Sequence, residues 1–135
     1  MAEDPVLPTD TAFRRIRPVH VVRDPKVPGG RRASAAAFTD DSDGSSMSVY
    51  LESIVLGLGL SGVDVVYGKP SSWAVAAIPV QALLDEEQSV VPDPITGAAD
   101  PHPCDPAHAV VDGDKKEKRR RDRIARAAPL VHIVP

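Results

Sequence analysis

Residues 73–78, Trp-Ala-Val-Ala-Ala-Ile, are a continuous, mostly apolar run bounded by turn residues. Such a run predicts a central strand buried on both faces. Residues 48–51 alternate polar and apolar side chains, as a half-buried strand does. Shorter β-branched stretches at 13–17, 19–22, 63–67, 89–91 and 108–111 read as further strands, and residues 31–39 as one centred on 35–38. Pro18 cannot donate to a ladder and marks a strand edge or bend. Residues 52–60 read as a short helix weakened by Gly57 and Gly59. Pro79 opens a helix of one or two turns through Leu84, since proline suits a first helical position. Turns or loops fall at 24–30, 40–46, 68–72 and, with four prolines, at 93–106.

The last third reads as strand, helix, strand. After residues 108–111, Asp114 with Glu117 three residues later forms a capping-box pattern, which starts the helix there. The cap is needed, because Lys115 and Lys116 then sit at the positive end of the helix dipole. Ile124, Ala127 and Ala128 give an apolar patch in the last turns, Pro129 stops the helix, and a terminal strand follows at 130–134. Together these elements predict an α+β fold. It has a small mixed sheet of about six or seven short strands and two or three short helices, including the basic C-terminal helix before the final strand. Residues 1–11 lack apolar periodicity and read as a flexible arm, leaving residues 12–135 as a single domain.

Composition sharpens this picture. Fourteen prolines and nine glycines in 135 residues forbid long uninterrupted elements, while 42% hydrophobic residues exclude a wholly disordered chain. No basic and apolar leader is visible at the N-terminus, and no apolar run reaches the ~18 residues that span a bilayer. With one cysteine, Cys104, there is no internal disulfide. The expected setting is the cytoplasm, without membrane contact. The formal charge of −3 conceals a segregation: residues 1–32 sum to +3, residues 33–113 to −11 and residues 114–135 to +5. Basic ends of this kind either fold over the acidic middle or present a positive face to a nucleic acid or an acidic protein.

The basic run offers the contact surface: Lys115, Lys116, Lys118, Arg119, Arg120, Arg121 and Arg123. Wound on a helix, it leaves several cations facing solvent whichever side docks. No aromatic residue is interleaved with them, which argues against base stacking on single strands. His102, Cys104, Asp105 and His108 carry zinc-capable atoms, but their spacing fits no common zinc module, and Pro101, Pro103 and Pro106 stiffen the backbone before and between them. No metal or other cofactor is expected. The chain has no Gly-x-Ser-x-Gly, His-Glu-x-x-His, phosphate-loop or dinucleotide-binding glycine motif, and no catalytic residue is assigned.

Two resemblances extend these readings. Phe13-Arg14-Arg15-Ile16, Ala37-Phe38, Met47-Ser48-Val49-Tyr50, Asp105-Pro106-Ala107-His108-Ala109 and Arg123-x-x-Arg126-Ala127-Ala128 together resemble a family of small uncharacterised bacterial proteins. That resemblance implies no particular activity. An arginine-bearing first strand, a later Ser-Val-Tyr strand and a small sheet also resemble ADP-ribosyltransferase folds. The second resemblance implies an enzyme with Arg15, Tyr50 and His108 near its cleft, although the late strand offers His108 where those enzymes use a carboxylate or glutamine. The leading expectation is a bacterial binding or accessory protein that contacts a partner protein or nucleic acid through the basic helix. A small ADP-ribosyltransferase-like enzyme is the alternative, and the oligomeric state is left open.

Overall fold

The computed structural model describes residues 6–40, 46–69 and 73–132. Its strands are β1 (Thr11–Ile16), β2 (Val21–Arg23), β3 (Arg31–Ala33), β4 (Met47–Leu51), β5 (Ala74–Pro79), β6 (Ser89–Pro92), β7 (His108–Asp112) and β8 (Leu130–His132). Three helices, α1 (Glu52–Gly57), α2 (Val80–Asp85) and α3 (Lys118–Ala127), complete an α+β fold. Six strands form one sheet in the order β6-β7-β4-β1-β5-β8, and β2 pairs with β3 in a separate two-stranded ribbon. Every pairing is antiparallel. The mixed character thus lies in the alternation of helices and strands, not in strand direction. No helix among the described residues is long and apolar enough to cross a membrane.

The sheet is covered on both faces, which is why β5 is a continuous apolar run. Ala74, Ala76 and Ile78 join one core cluster with Ala12, Ile16, Met47, Val49 and Leu51. Leu83 of α2, Phe38, and Ile124, Ala125 and Ala128 at the end of α3 close that side. Val75 and Ala77 point the other way, into a cluster with Phe13, Tyr50, Val55 of α1, Val65, Cys104 and Ala107. Alternation of side chains along β1, β4 and β5 sends successive apolar residues to opposite cores.

Several local expectations are corrected. Residues 35–37 form a 3-10 turn after β3 ends at Ala33, and residues 62–66 form another, capped by the reciprocal Ser61–Asp64 box. Both had read as strands. The last helix starts at Lys118, not after Asp114, and its N-cap Glu117 makes no side-chain capping bond. Asp114 instead caps a short turn by accepting the Lys116 amide. Lys115 is thereby freed from the helix and turns inward. Of the expected N-terminal arm, residues 1–5 lie outside the described residues, while Pro8 and Asp10 accept backbone hydrogen bonds from Gln81 and Val80 of α2. Parts of the expected loops at 40–46 and 68–72 and of the terminal strand also lie outside them.

Candidate functional site, a basic cleft at the end of β1

Part of the predicted contact run pairs with the acidic middle of the chain. Arg123 pairs with Glu86 at 2.7 Å, Arg120 with Glu87 at 3.4 Å, and Arg126 with Asp122 one turn back at 2.9 Å. The pair to Arg123 holds the Glu86 carboxyl below its ordinary range, and Arg126 does the same to Asp122. Lys115 is 5% exposed; its Nζ donates to Asp40 (2.6 Å) and to the carbonyls of Val111 (2.8 Å) and Gly113 (3.1 Å). It cannot serve as a solvent-facing contact. Arg121 is half-buried and lines a cavity of about 530 Å³ beside Asp114, Lys115 and Lys116. Only Lys116, Lys118 and Arg119 of the expected set are exposed with no ion pair among the described residues.

A different cationic group gathers where β1 ends. Arg14 and Arg15 stand near the end of β1, opposite Ala76 and Val75 of β5, and Arg17 follows just before Pro18 starts the 3-10 turn Pro18–His20. The three arginines line a cavity of about 340 Å³ with His20, Lys69 and Trp73, together with Ala36, Ala37, Thr39 and Asp40. Strand alternation gives the arginines different duties. Arg14 lies on the α3 side and donates to the carbonyls of Ser48 (2.8 Å), Ala37 (3.2 Å) and Thr39 (3.3 Å), tying β4 and the 35–37 turn to β1. Arg15 faces the opposite core, its guanidinium carbon 5.6 Å from the centre of the Tyr50 ring. One residue beyond the last β1–β5 pair, Ile16 with Ala74, Arg17 reaches Trp73 at 5.7 Å, and Lys69 approaches the same indole at 5.2 Å.

Arg15, Arg17 and Lys69 have no carboxylate partner among the described residues. The one described carboxylate lining the cavity, Asp40, is held by Lys115. The electrostatic consequence is visible in neighbouring groups. Burial, then Arg15 and Arg17, pull the Lys69 ammonium below its ordinary value, and burial with Arg17 and Arg14 lowers His20.

Behind Arg15 runs a row of rings. Tyr50 stands opposite His108 in the β4–β7 register, with ring centres 5.6 Å apart edge to face, and His102 stacks on Tyr50 at 5.2 Å. His102 also meets Tyr67 edge-on at 5.6 Å. The residues named by the transferase resemblance, Arg15, Tyr50 and His108, are therefore contiguous. The histidines are committed to internal bonds. His102 accepts from the Cys104 amide through Nδ1 (2.9 Å), so its Nε2 donates to the Val65 carbonyl (3.1 Å); His108 donates from Nδ1 to the Asp93 carbonyl (2.9 Å). Burial lowers the pKa of His102 and pushes the Cys104 thiol up to about 11, so the cysteine is a neutral packing group, not a nucleophile. Among the described residues no three His, Cys, Asp or Glu side chains assemble as a metal site.

The basic cleft was missed in the sequence because its members are spread from Arg14 to Trp73. One signal pointed to it: Lys69 is the sole cation between residues 33 and 113. No protein-family model, curated protein or solved structure matches this chain.

Proposed function

We propose that this chain is a binding protein of bacterial, cytoplasmic type whose contact surface is the cleft at the end of β1, and that its ligand carries phosphate. The observation that carries the reading is the trio Arg15, Arg17 and Lys69, gathered at one cavity with no carboxylate partner among the described residues. Like charges held together raise one another's energy, and a polyvalent anion relieves all three at once. Two guanidiniums and an ammonium suit phosphate oxygens, which accept forked Arg bonds and point-charge Lys contacts alike. The accessory role read from the sequence is kept; its contact moves from the helix to the cleft. Calorimetric titration with pyrophosphate at low salt tests this. Binding that weakens steeply as salt rises is expected, and absence of heat at low salt rejects the reading.

A second reading, an ADP-ribosyltransferase-like enzyme, is favoured by the adjacency of Arg15, Tyr50 and His108. Incubation with NAD separates the two: release of nicotinamide supports the enzyme, and phosphate binding without release leaves the binding protein.

A further inference from the structure

We propose that the ligand of the basic cleft is a nucleotide unit, with its phosphate taken by Arg15, Arg17 and Lys69 and its aromatic base set against Trp73. This rests on the phosphate reading above and adds a second recognition element to it. Trp73 is the only tryptophan of the chain; it lines the cavity, is half-buried, and packs against the core cluster that holds Val75. Its position is firm, because β5 begins at the next residue and is paired on both sides, with β1 and β8.

Cations and aromatic rings interleave here: Arg17 and Lys69 lie against Trp73, and Arg15 lies against Tyr50. The basic helix lacks this arrangement, and it is the combination that proteins use to hold bases beside a phosphate backbone. In the free protein the indole gives Arg17 and Lys69 a weak partner in place of a carboxylate. A phosphate is a stronger one. Drawing the two cations onto it uncovers the ring, which a base can then cover. A sugar phosphate or inorganic phosphate satisfies the cations but leaves the indole bare. A cavity of about 340 Å³ lies at the small end of ligand sites and suits one nucleotide. Free mononucleotides and the ends of single-stranded nucleic acid present this same chemistry.

Fluorescence of the single tryptophan reports the site directly. The full chain is titrated with AMP, ribose 5-phosphate, adenosine and a 5′-phosphorylated oligothymidylate. AMP should quench Trp73 and bind about tenfold more tightly than ribose 5-phosphate, the low end of what one stacked base contributes. Adenosine, lacking phosphate, should bind more weakly than either. The Trp73 variants carry no tryptophan and are titrated by calorimetry, where Trp73→Phe should keep the preference for AMP. Trp73→Leu should erase it and still bind ribose 5-phosphate at least as tightly as the wild type, which shows that the fold survives. Equal affinities for AMP and ribose 5-phosphate in the wild type would overturn the inference while leaving the phosphate reading intact. Failure of every phosphate compound to bind would remove both. If the oligonucleotide binds more tightly than AMP, the unit is supplied by nucleic acid; equal affinity identifies the free nucleotide.

Discussion

The molecule has two basic regions, and they spend their charge differently. On α3 the cations meet acids contributed by the middle of the chain: Arg123 meets Glu86, Arg120 meets Glu87, and just ahead of the helix Lys115 meets Asp40. At the end of β1, Arg15, Arg17 and Lys69 converge on a cavity whose only described carboxylate is already occupied. A dense run of positive charge is thus partly spent inside the molecule when an acidic segment lies within reach. The proposal above rests on the opposite kind of feature, fewer cations brought together by the fold with no carboxylate partner among the described residues.

The contrast can be broken most forcefully at Lys115. Replacing it with methionine keeps the buried stem and removes three hydrogen bonds, leaving the Val111 and Gly113 carbonyls short of a donor. A loss of about 2–3 kcal/mol is expected in chemical denaturation. If stability does not change, Lys115 is not the internal strut described above.

Arg123→Ala gives a smaller effect of the same kind. Its side chain is 55% exposed and screened by solvent, so loss of the Glu86 pair should lower the denaturation midpoint only slightly. Lys69→Ala should show the opposite sign or none, since it removes a repelling charge and no ion pair. A clear loss of stability in Lys69→Ala would put the cleft cations in the same structural class as those of the helix.

The mildest test uses pH. Folding lowers the pKa of His20 from its ordinary 6.5, through burial and then the charges of Arg17 and Arg14. The unfolded chain therefore takes up a proton that the folded chain resists. The corresponding stability is present above about pH 6.5 and is lost as pH falls through the depressed value. His102 is shifted in the same direction, by burial first. The melting temperature should drop between pH 7 and pH 5, and His20→Gln should make that drop shallower. An identical profile in the variant would mean that His20 does not feel the field of the cleft.

Much of the sheet was legible from the chain, because strands such as β5 and β4 are written in local alternation or in uninterrupted apolar runs. The 3-10 turns at 35–37 and 62–66 were not. The Val-x-Val-Val stretch carries strand-like β-branched side chains and the three alanines lie between apolar neighbours, while tertiary packing and the Ser61–Asp64 box decide their backbone. The start of α3 was displaced for a similar reason. The Asp114–Glu117 spacing looks like a capping box, but inward burial of Lys115 holds residues 114–117 out of the helix. The cleft was the least legible feature. It depends on β1 and β5 being neighbours, which joins Arg17 to Trp73 across 56 positions of sequence, and on a pairing between Lys115 and Asp40 that no local pattern records.

The most direct measurement compares pyrophosphate binding by calorimetry in two charge-reversed proteins. One carries Arg17→Glu with Lys69→Glu; the other carries Arg119→Glu, Arg120→Glu and Arg121→Glu. The account predicts that the cleft variant loses binding at an unchanged melting temperature. The helix variant should keep its affinity within a few-fold and melt earlier, because Arg120 gives up Glu87 and the Asp114 carbonyl. Retained binding in the cleft variant, together with lost binding in a helix variant that melts like the wild type, would contradict it.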